Sequence, residues 1–266
     1  MPMNRRTWLH AVLSTGLAWG TGRRTRADDS PPIAAAAARG RAFLAGLFDP
    51  QLELLPEYRG ATTYWLFHDN YLAAKVLAPS HPALAQRIAG AIHRRGVTES
   101  GKIEILFGEA KQPLPFRQFR LTEVHRQEDK LIKTEVAGAT ELVGWQEYAD
   151  LLFLAAIALA NTDAPQARRH YDAGMATWNG RGFHDRVAET SAQYVTYKLA
   201  LCLLTAERLR ISCEFRQAVL ERLLRQQADD GGWITDYDAQ GRPRGLANVE
   251  TTSLAILALD ALTPAG

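Results

Sequence analysis

Asp69-Asn70-Tyr71-Leu72-Ala73-Ala74 runs into an apolar helical stretch, and three later segments align with it without gaps. They are Gln146-Glu147-Tyr148-Ala149-Asp150-Leu151, Val195-Thr196-Tyr197-Lys198-Leu199-Ala200 and Glu250-Thr251-Thr252-Ser253-Leu254-Ala255. Their continuations, residues 75–77, 152–160, 201–204 and 256–262, are apolar on most faces, as expected of helices surrounded by other helices. Between them, residues 82–95, 165–178 and 214–227 carry a narrower apolar stripe and many arginines, the pattern of helices charged on their solvent side. A first helix over residues 33–48 follows Ser30-Pro31-Pro32, since proline suits a helix start. The alternation predicts helical hairpins stacked side by side, hence an all-α fold of about four helical hairpins.

The step from Tyr71 to Tyr148 is 77 residues, whereas the next two are 49 and 55, so the first interval carries an insertion at about 102–136. Ile103-Glu104-Ile105-Leu106-Phe107 and residues 116–124 and 130–136 are rich in β-branched and aromatic side chains, with Gln127-Glu128-Asp129 as a turn. They predict a small antiparallel flap, which either covers a site or closes the outside of the array. A solvated strand face accounts for Glu123, Glu128 and Glu135 within it.

A chain of 266 residues with 47% apolar composition can bury a large core, and one domain over residues 28–266 is expected. The net charge of +2 is misleading. Five arginines fall in the first 27 residues, and without them 26 basic residues face 29 acidic ones, a balance of −3. Nucleic acid therefore loses its electrostatic argument as a partner. Those first 27 residues have a charged start, a weakly apolar stretch over residues 7–22 and a basic end, the layout of an export signal. Sixteen such residues are too few for a bilayer, which needs roughly 20 apolar ones. The expectation is no membrane span in the mature protein. Asn4-Arg5-Arg6-Thr7-Trp8-Leu9 resembles the twin-arginine motif, which implies a twin-arginine signal peptide over 1–27, the export machinery as partner of the precursor, and a periplasmic or extracellular destination. An ordinary secretory signal is the alternative. Cys202 lies inside an apolar helical run, where a free thiol behaves as a small buried hydrophobe, so free thiols are favoured, although an oxidising compartment would permit a bridge to Cys213.

Gln226-Gln227-Ala228-Asp229-Asp230-Gly231-Gly232-Trp233, followed by Gly245-Leu246-Ala247-Asn248-Val249-Glu250-Thr251-Thr252, resembles the repeat of the squalene and terpene cyclase, protein prenyltransferase and thioester-domain superfamily. Gln227, Gly231 and Trp233 fit its glutamine-tryptophan motif. About forty residues match well and the rest only as architecture, and the resemblance implies that the all-α hairpins form a partial α/α toroid. In that motif the glutamine ties a helix end to the next repeat and the tryptophan packs over it, so the resemblance implies a structural role for both. None of the superfamily's chemistries carries over. There is no Asp-x-Asp-Asp cluster, no Cys-Gly-Glu-Gln stretch, and no histidine at ligand spacing from either cysteine, so neither metal nor cofactor is expected.

The densest polar and aromatic stretch, residues 57–71, leads into the first inner helix. If the four inner helices align, Asp69, Asn70, Glu147, Thr196, Glu250 and Thr251 ring one mouth. Asp69, Glu147 and Glu250 are then the candidate catalytic carboxylates, able to serve as general acid and base where burial sets them apart. Tyr64, Trp65 and Tyr237 could stack on a sugar ring, Asn70 and Asn248 orient hydroxyls, and His68 pass a proton. Capping competes for Asp69, Glu147, Glu250 and Thr251, because acidic residues and threonine satisfy free backbone N–H groups at helix starts. Packing accounts equally for the tyrosines, and Lys198 either pairs with Asp150 or snorkels outward. No phosphate loop, Gly-x-Ser-x-Gly elbow or His-Glu-x-x-His helix occurs. The expected function is an exported protein with a small-molecule or glycan site at the mouth, as in a glycoside hydrolase or polysaccharide lyase. The alternatives are a non-catalytic interaction module and a terpenoid-binding, cyclase-like protein.

Overall fold

Alanine-rich residues with little rotamer entropy to lose make the first helix, α1, Ile33–Gly46. The computed structural model describes residues 33–263, so the signal peptide read over residues 1–27 lies outside the described residues. After α1 come β1 (Thr63–Trp65), a π-helical turn (Leu66–Tyr71), α2 (Leu72–Leu77) and α3 (Pro82–Arg94). Next are β2 (Arg117–Gln127), β3 (Lys130–Glu141), α4 (Ala149–Leu159), α5 (Ala164–Met175) and α6 (Arg186–Ser191). The chain ends with β4 (Tyr194–Val195), α7 (Thr196–Leu209), α8 (Arg216–Leu224), β5 (Ile234–Tyr237), β6 (Pro243–Ala247) and α9 (Val249–Leu262). Among the described residues no helix is long and apolar enough to cross a membrane.

The helices pack in sequence-adjacent pairs, α2 on α3, α4 on α5 and α7 on α8, while α9 lies against α1, α2 and α7, and α4 against α7. Amphipathicity sets the roles. On α3 the buried residues are Ala85, Ile88, Ala91 and Ile92, a single stripe at helical spacing. On α7 and α9 burial runs through nearly every turn.

An all-α toroid is nevertheless the wrong description. The chain is 49% helical and 19% strand, with two three-stranded sheets, ordered β1-β3-β2 and β4-β5-β6. In the first, β2 and β3 form a long antiparallel hairpin and β1 adds in parallel to β3, pairing Thr63 with Leu131 and Trp65 with Lys133. The turn at its tip sets Glu128 at φ 55°. The insertion is thus built onto the strand that enters the π-helical turn. The second sheet joins β5 and β6, whose alternation follows the tight Gly231-Gly232 turn, to the short β4 ahead of α7. Residues 103–107 differ in the other direction: they form a 3-10 turn, Ile103–Phe107. The buried Glu104 carboxylate accepts from the Ser100 N–H and, at 2.8 Å, from its hydroxyl, and local side-chain acceptors of this kind compete with a strand ladder.

The glutamine-tryptophan turn joins the two ends of the described chain. The Gln227 amide donates to the Ala36 carbonyl at 2.9 Å and the Gly231 carbonyl at 2.8 Å, and its oxygen accepts from Arg39. Gly231 has φ +93°, and a Cβ there would stand 2.5 Å from the Arg39 carbonyl oxygen, so glycine is required twice over.

Asp238 organises the β5–β6 turn. It accepts from the N–H groups of Gln240 and Arg242, each at 3.0 Å, from Arg242 Nε at 2.7 Å and from Arg244 Nη2 at 2.8 Å. Burial pushes its carboxyl upward, but these donors outweigh burial and hold it well below its ordinary 3.8. A folded value below the unfolded one means stability that is present above about pH 4 and lost as pH falls through the folded value. The melting-temperature gap between the native protein and Asp238→Asn should therefore shrink steadily below about pH 4. A gap that stays constant from neutral pH to about pH 2 would contradict this assignment.

Candidate functional site

Short-range contacts connect the start of α4 with that of α7, and the π-helical turn with α9. Asp185 Oδ2 accepts from the Ala149 N–H at 2.9 Å, at the first residue of α4, and pairs with Lys198 in the first turn of α7. Lys198 Nζ also lies 3.6 Å from Asp150 Oδ1, and the Tyr197 hydroxyl donates to Asp150 Oδ2 at 2.8 Å. Lys198 thus pairs with Asp150, and more tightly with Asp185, instead of snorkelling; Lys198 and Asp185 are each 1% exposed. On the far side, the Val249 N–H donates to the Glu57 carbonyl at 3.0 Å, and the Glu57 side chain accepts from Trp65 Nε1 at 3.2 Å. The π-helical turn packs against α9 and β3.

That turn carries His68, Asp69 and Asn70 in succession, all buried. A π-helical turn widens the helix by one residue and turns consecutive side chains in directions an α-helix would not allow. His68 Nε2 lies 3.1 Å from Glu135 Oε2 on β3, and Lys102 Nζ lies 3.8 Å from the same oxygen. Glu135 is buried, so it is not part of a solvated strand face.

The other candidates divide according to their hydrogen bonds. Asn70 is held by backbone: its oxygen accepts from the Leu55 N–H at 2.6 Å, and its amide donates to the carbonyls of Leu55 and Trp65 at 3.0 and 2.8 Å. Asn248 caps α9, accepting from the Thr251 N–H at 2.8 Å. The Tyr64 hydroxyl donates to Asp49 Oδ2 at 2.9 Å, and Lys130 at the flap tip reaches the same oxygen at 2.6 Å. Tyr237 is wholly buried and stacked on Tyr194 at 5.5 Å. Burial raises both phenols, with Asp49 adding to the effect at Tyr64, so neither ionises near neutrality. Trp65 is buried, with Lys133 Nζ 5.8 Å from its ring centre. Glu147 is 53% exposed on the turn before α4 and pairs with Arg186 at 2.6 Å, in solvent unlike Asp69. Glu250 stands in the first turn of α9, partly exposed.

No family model matches the chain, and no curated protein or solved structure matches it.

The site is therefore described by its own chemistry. His68 and Glu135 form a buried pair, with the buried Asp69 next to His68 in the chain; Asp150, Tyr197, Lys198 and Asp185 form a second polar cluster; and Glu57 and Trp65 lie at the start of α9, whose first turn carries Glu250. Among the described residues no group of three or more His, Cys, Asp and Glu side chains is placed to hold a metal ion. A separate cleft of about 500 Å3 lies by Leu52, Arg95 and His125, and its acid, Glu53, is already paired with Arg87 and Arg94.

Sequence reasoning missed Glu135 and Asp185. A carboxylate on a strand that alternates with basic residues carries no local sign of a histidine 67 positions earlier. Asp185 had a weak signal: it stands immediately before the short run that becomes α6, where it accepts from Val187 N–H at 3.1 Å as an N-cap.

Proposed function

We propose that the chain is an exported carbohydrate-active enzyme that cleaves glycosidic bonds at the end of the helical layer where the π-helical turn meets α9. Asp69 and Glu250 are its acid and base, and His68 with Glu135 is the pair that holds and passes a proton. One observation carries this reading: consecutive buried His68 and Asp69 on a π-helical turn, with His68 3.1 Å from the buried Glu135. Taking ionisable groups out of water costs several kcal/mol each even after relaxation, roughly as much as a domain's whole margin of stability. Buried ionisable groups and π-helical turns both recur at functional sites. Asp69 is wholly buried whereas Glu250 is partly exposed, the contrast of environment that an acid–base pair requires. Export is supported by the Arg5-Arg6 leader. The cyclase-like turn enters only as scaffolding, since Gln227 and Trp233 are occupied in holding α1 to the C-terminal segment.

The test is a panel of neutral and uronate-containing polysaccharides offered to the mature chain, with reducing ends and unsaturated products both measured so that hydrolysis and elimination are told apart. Asp69→Asn should lower kcat/KM by about 100-fold or more while moving the melting temperature by no more than a few degrees. A wild-type protein that cleaves nothing in the panel, or an Asp69→Asn variant with full activity, ends the proposal.

A further inference from the structure

The cleft of about 500 Å3 outside the carboxylate clusters takes its walls from the turn of residues 49–54, the C-terminal end of α3 and the strand β2. Asp49 fixes the turn. Its Oδ1 accepts from the N–H groups of Gln51 and Leu52 at 2.9 and 3.3 Å, and its carbonyl accepts from the Glu53 N–H at 2.8 Å. Glu53 stands in the left-handed region at φ 56°, uncommon for a residue other than glycine. Arg95, which caps α3, crosses to this turn: Nη2 donates to the Leu52 carbonyl at 3.2 Å and Nη1 to the Ala91 carbonyl at 2.6 Å. Val124 and His125 of β2 close the remaining side.

The charges here do not balance. Glu53 is the one carboxylate lining the cleft, and it is shared by Arg87 Nε, at 2.9 Å, and Arg94. Arg95 makes its bonds to neutral carbonyls and has no ion pair among the described residues, which leaves it with N–H donors to spare. Burial first, and then the charge of Arg94, push the Arg95 guanidinium below its ordinary value, and Glu53 offsets this only in part. An anion arriving beside such a half-buried cation stabilises its charged form.

We propose that this cleft binds the carboxylate of an acidic sugar unit, held between Arg94 and Arg95, with the sugar ring over Leu52 and Val124. Guanidinium groups present N–H donors in a planar fork that matches the two oxygens of a carboxylate. The cleft is of the size of small-ligand sites, roughly 300–1,000 Å3. Its position suits a polymer. His125 stands opposite Ile132, three residues before Glu135 on β3, so the cleft lies about 10 Å along the hairpin from the His68–Glu135 pair. An extended acidic polysaccharide is long enough to fill the cleft and reach that pair. That the carboxylate belongs to a glycan rests on the glycan-cleavage reading; the selection for an anion rests on the cleft alone.

Calorimetric titration of the full chain with trigalacturonate, with its uncharged methyl ester and with inorganic sulfate tests this without any turnover. Trigalacturonate should bind at least about 10-fold tighter than either of the others, and more weakly as salt is raised. Arg94→Gln and Arg95→Gln should each weaken it by about 10-fold or more. The Arg94 side chain is 59% exposed, so that variant keeps its fold whatever Arg95→Gln does to the Leu52 contact. Arg126→Gln, on the same strand but paired with Glu123 outside the cleft, should change nothing. Equal binding of acid and ester, sulfate bound as tightly as trigalacturonate, or the same loss from Arg94→Gln as from Arg126→Gln overturns the proposal. Trigalacturonate held selectively by a chain that cleaves no polysaccharide upholds the cleft and ends the cleavage reading, whereas cleavage with equal binding of acid and ester does the reverse.

Discussion

Replacing Trp233 by alanine is expected to cost about 3–5 kcal/mol of stability, a fall in melting temperature of roughly 6–20 °C for a chain of this size. The indole is wholly buried, and its N–H donates to the Leu223 carbonyl at the end of α8 at 2.9 Å. Its backbone N–H donates to the Thr252 hydroxyl at 2.9 Å, and its carbonyl accepts from the Asn248 N–H at 3.2 Å. Against its other side lies Gly40 of α1, where a Cβ would come within 2.7 Å of the ring. Side chain and backbone of this one residue together touch the first helix, the last helix and the end of α8, and backbone this tightly placed cannot collapse into the void that alanine leaves. Trp233→Phe keeps most of the volume but removes the indole N–H, while the Leu223 carbonyl keeps the Gln226 N–H at 3.1 Å, so it should lose only about 0.5–1.5 kcal/mol. Urea unfolding of the three proteins measures both differences. An alanine variant within about 1 kcal/mol of wild type would show that the seam between α1 and α9 repacks freely.

Asp185→Ala should be comparably damaging, at about 3–5 kcal/mol, because it breaks a buried ion pair from one side. Lys198 would remain in the interior with Asp150, 3.6 Å away, as the carboxylate left to it. The first N–H of α4 and the capped N–H groups of α6 would lose their acceptor in the same stroke. Removing both charges is a different matter. In Lys198→Met with Asp185→Asn, the amide oxygen can still accept from Ala149 while no isolated ammonium is left buried, so the double variant should recover at least half of the single variant's loss. Losses that simply add would mean that Lys198 and Asp185 do not depend on each other.

Asp185 also shows how far local reasoning reaches. The helices at residues 82–95 and 165–178 were legible because an apolar stripe at helical spacing, a proline near the start and arginines on the outer face lie within one stretch of chain; the structure puts them at Pro82–Arg94 and Ala164–Met175. The β2–β3 hairpin was legible from its turn. The strand Ile234–Tyr237 was not, because one of its partners, β4, lies about forty positions earlier in the chain, and neighbouring glycines disguise its short alternation. Ile103-Glu104-Ile105-Leu106-Phe107 reads as strand from its alternation, but a local bond between Ser100 and Glu104 ties it into a 3-10 turn.

At the candidate site the division is sharper. Asp69, Asn70, Glu147 and Glu250 are equivalent as residues at helix starts, and spacing alone gives them one role. In three dimensions Asn70 is consumed by the Leu55 backbone, Glu147 faces water with Arg186, and Asp69 is sealed beside His68. Helix formation is governed by residues three and four apart, so periodicity along the chain is enough to locate the rods. Burial and charge pairing depend on which groups arrive from elsewhere, and Glu135 meets His68 only because β3 pairs with the strand that leads into the π-helical turn.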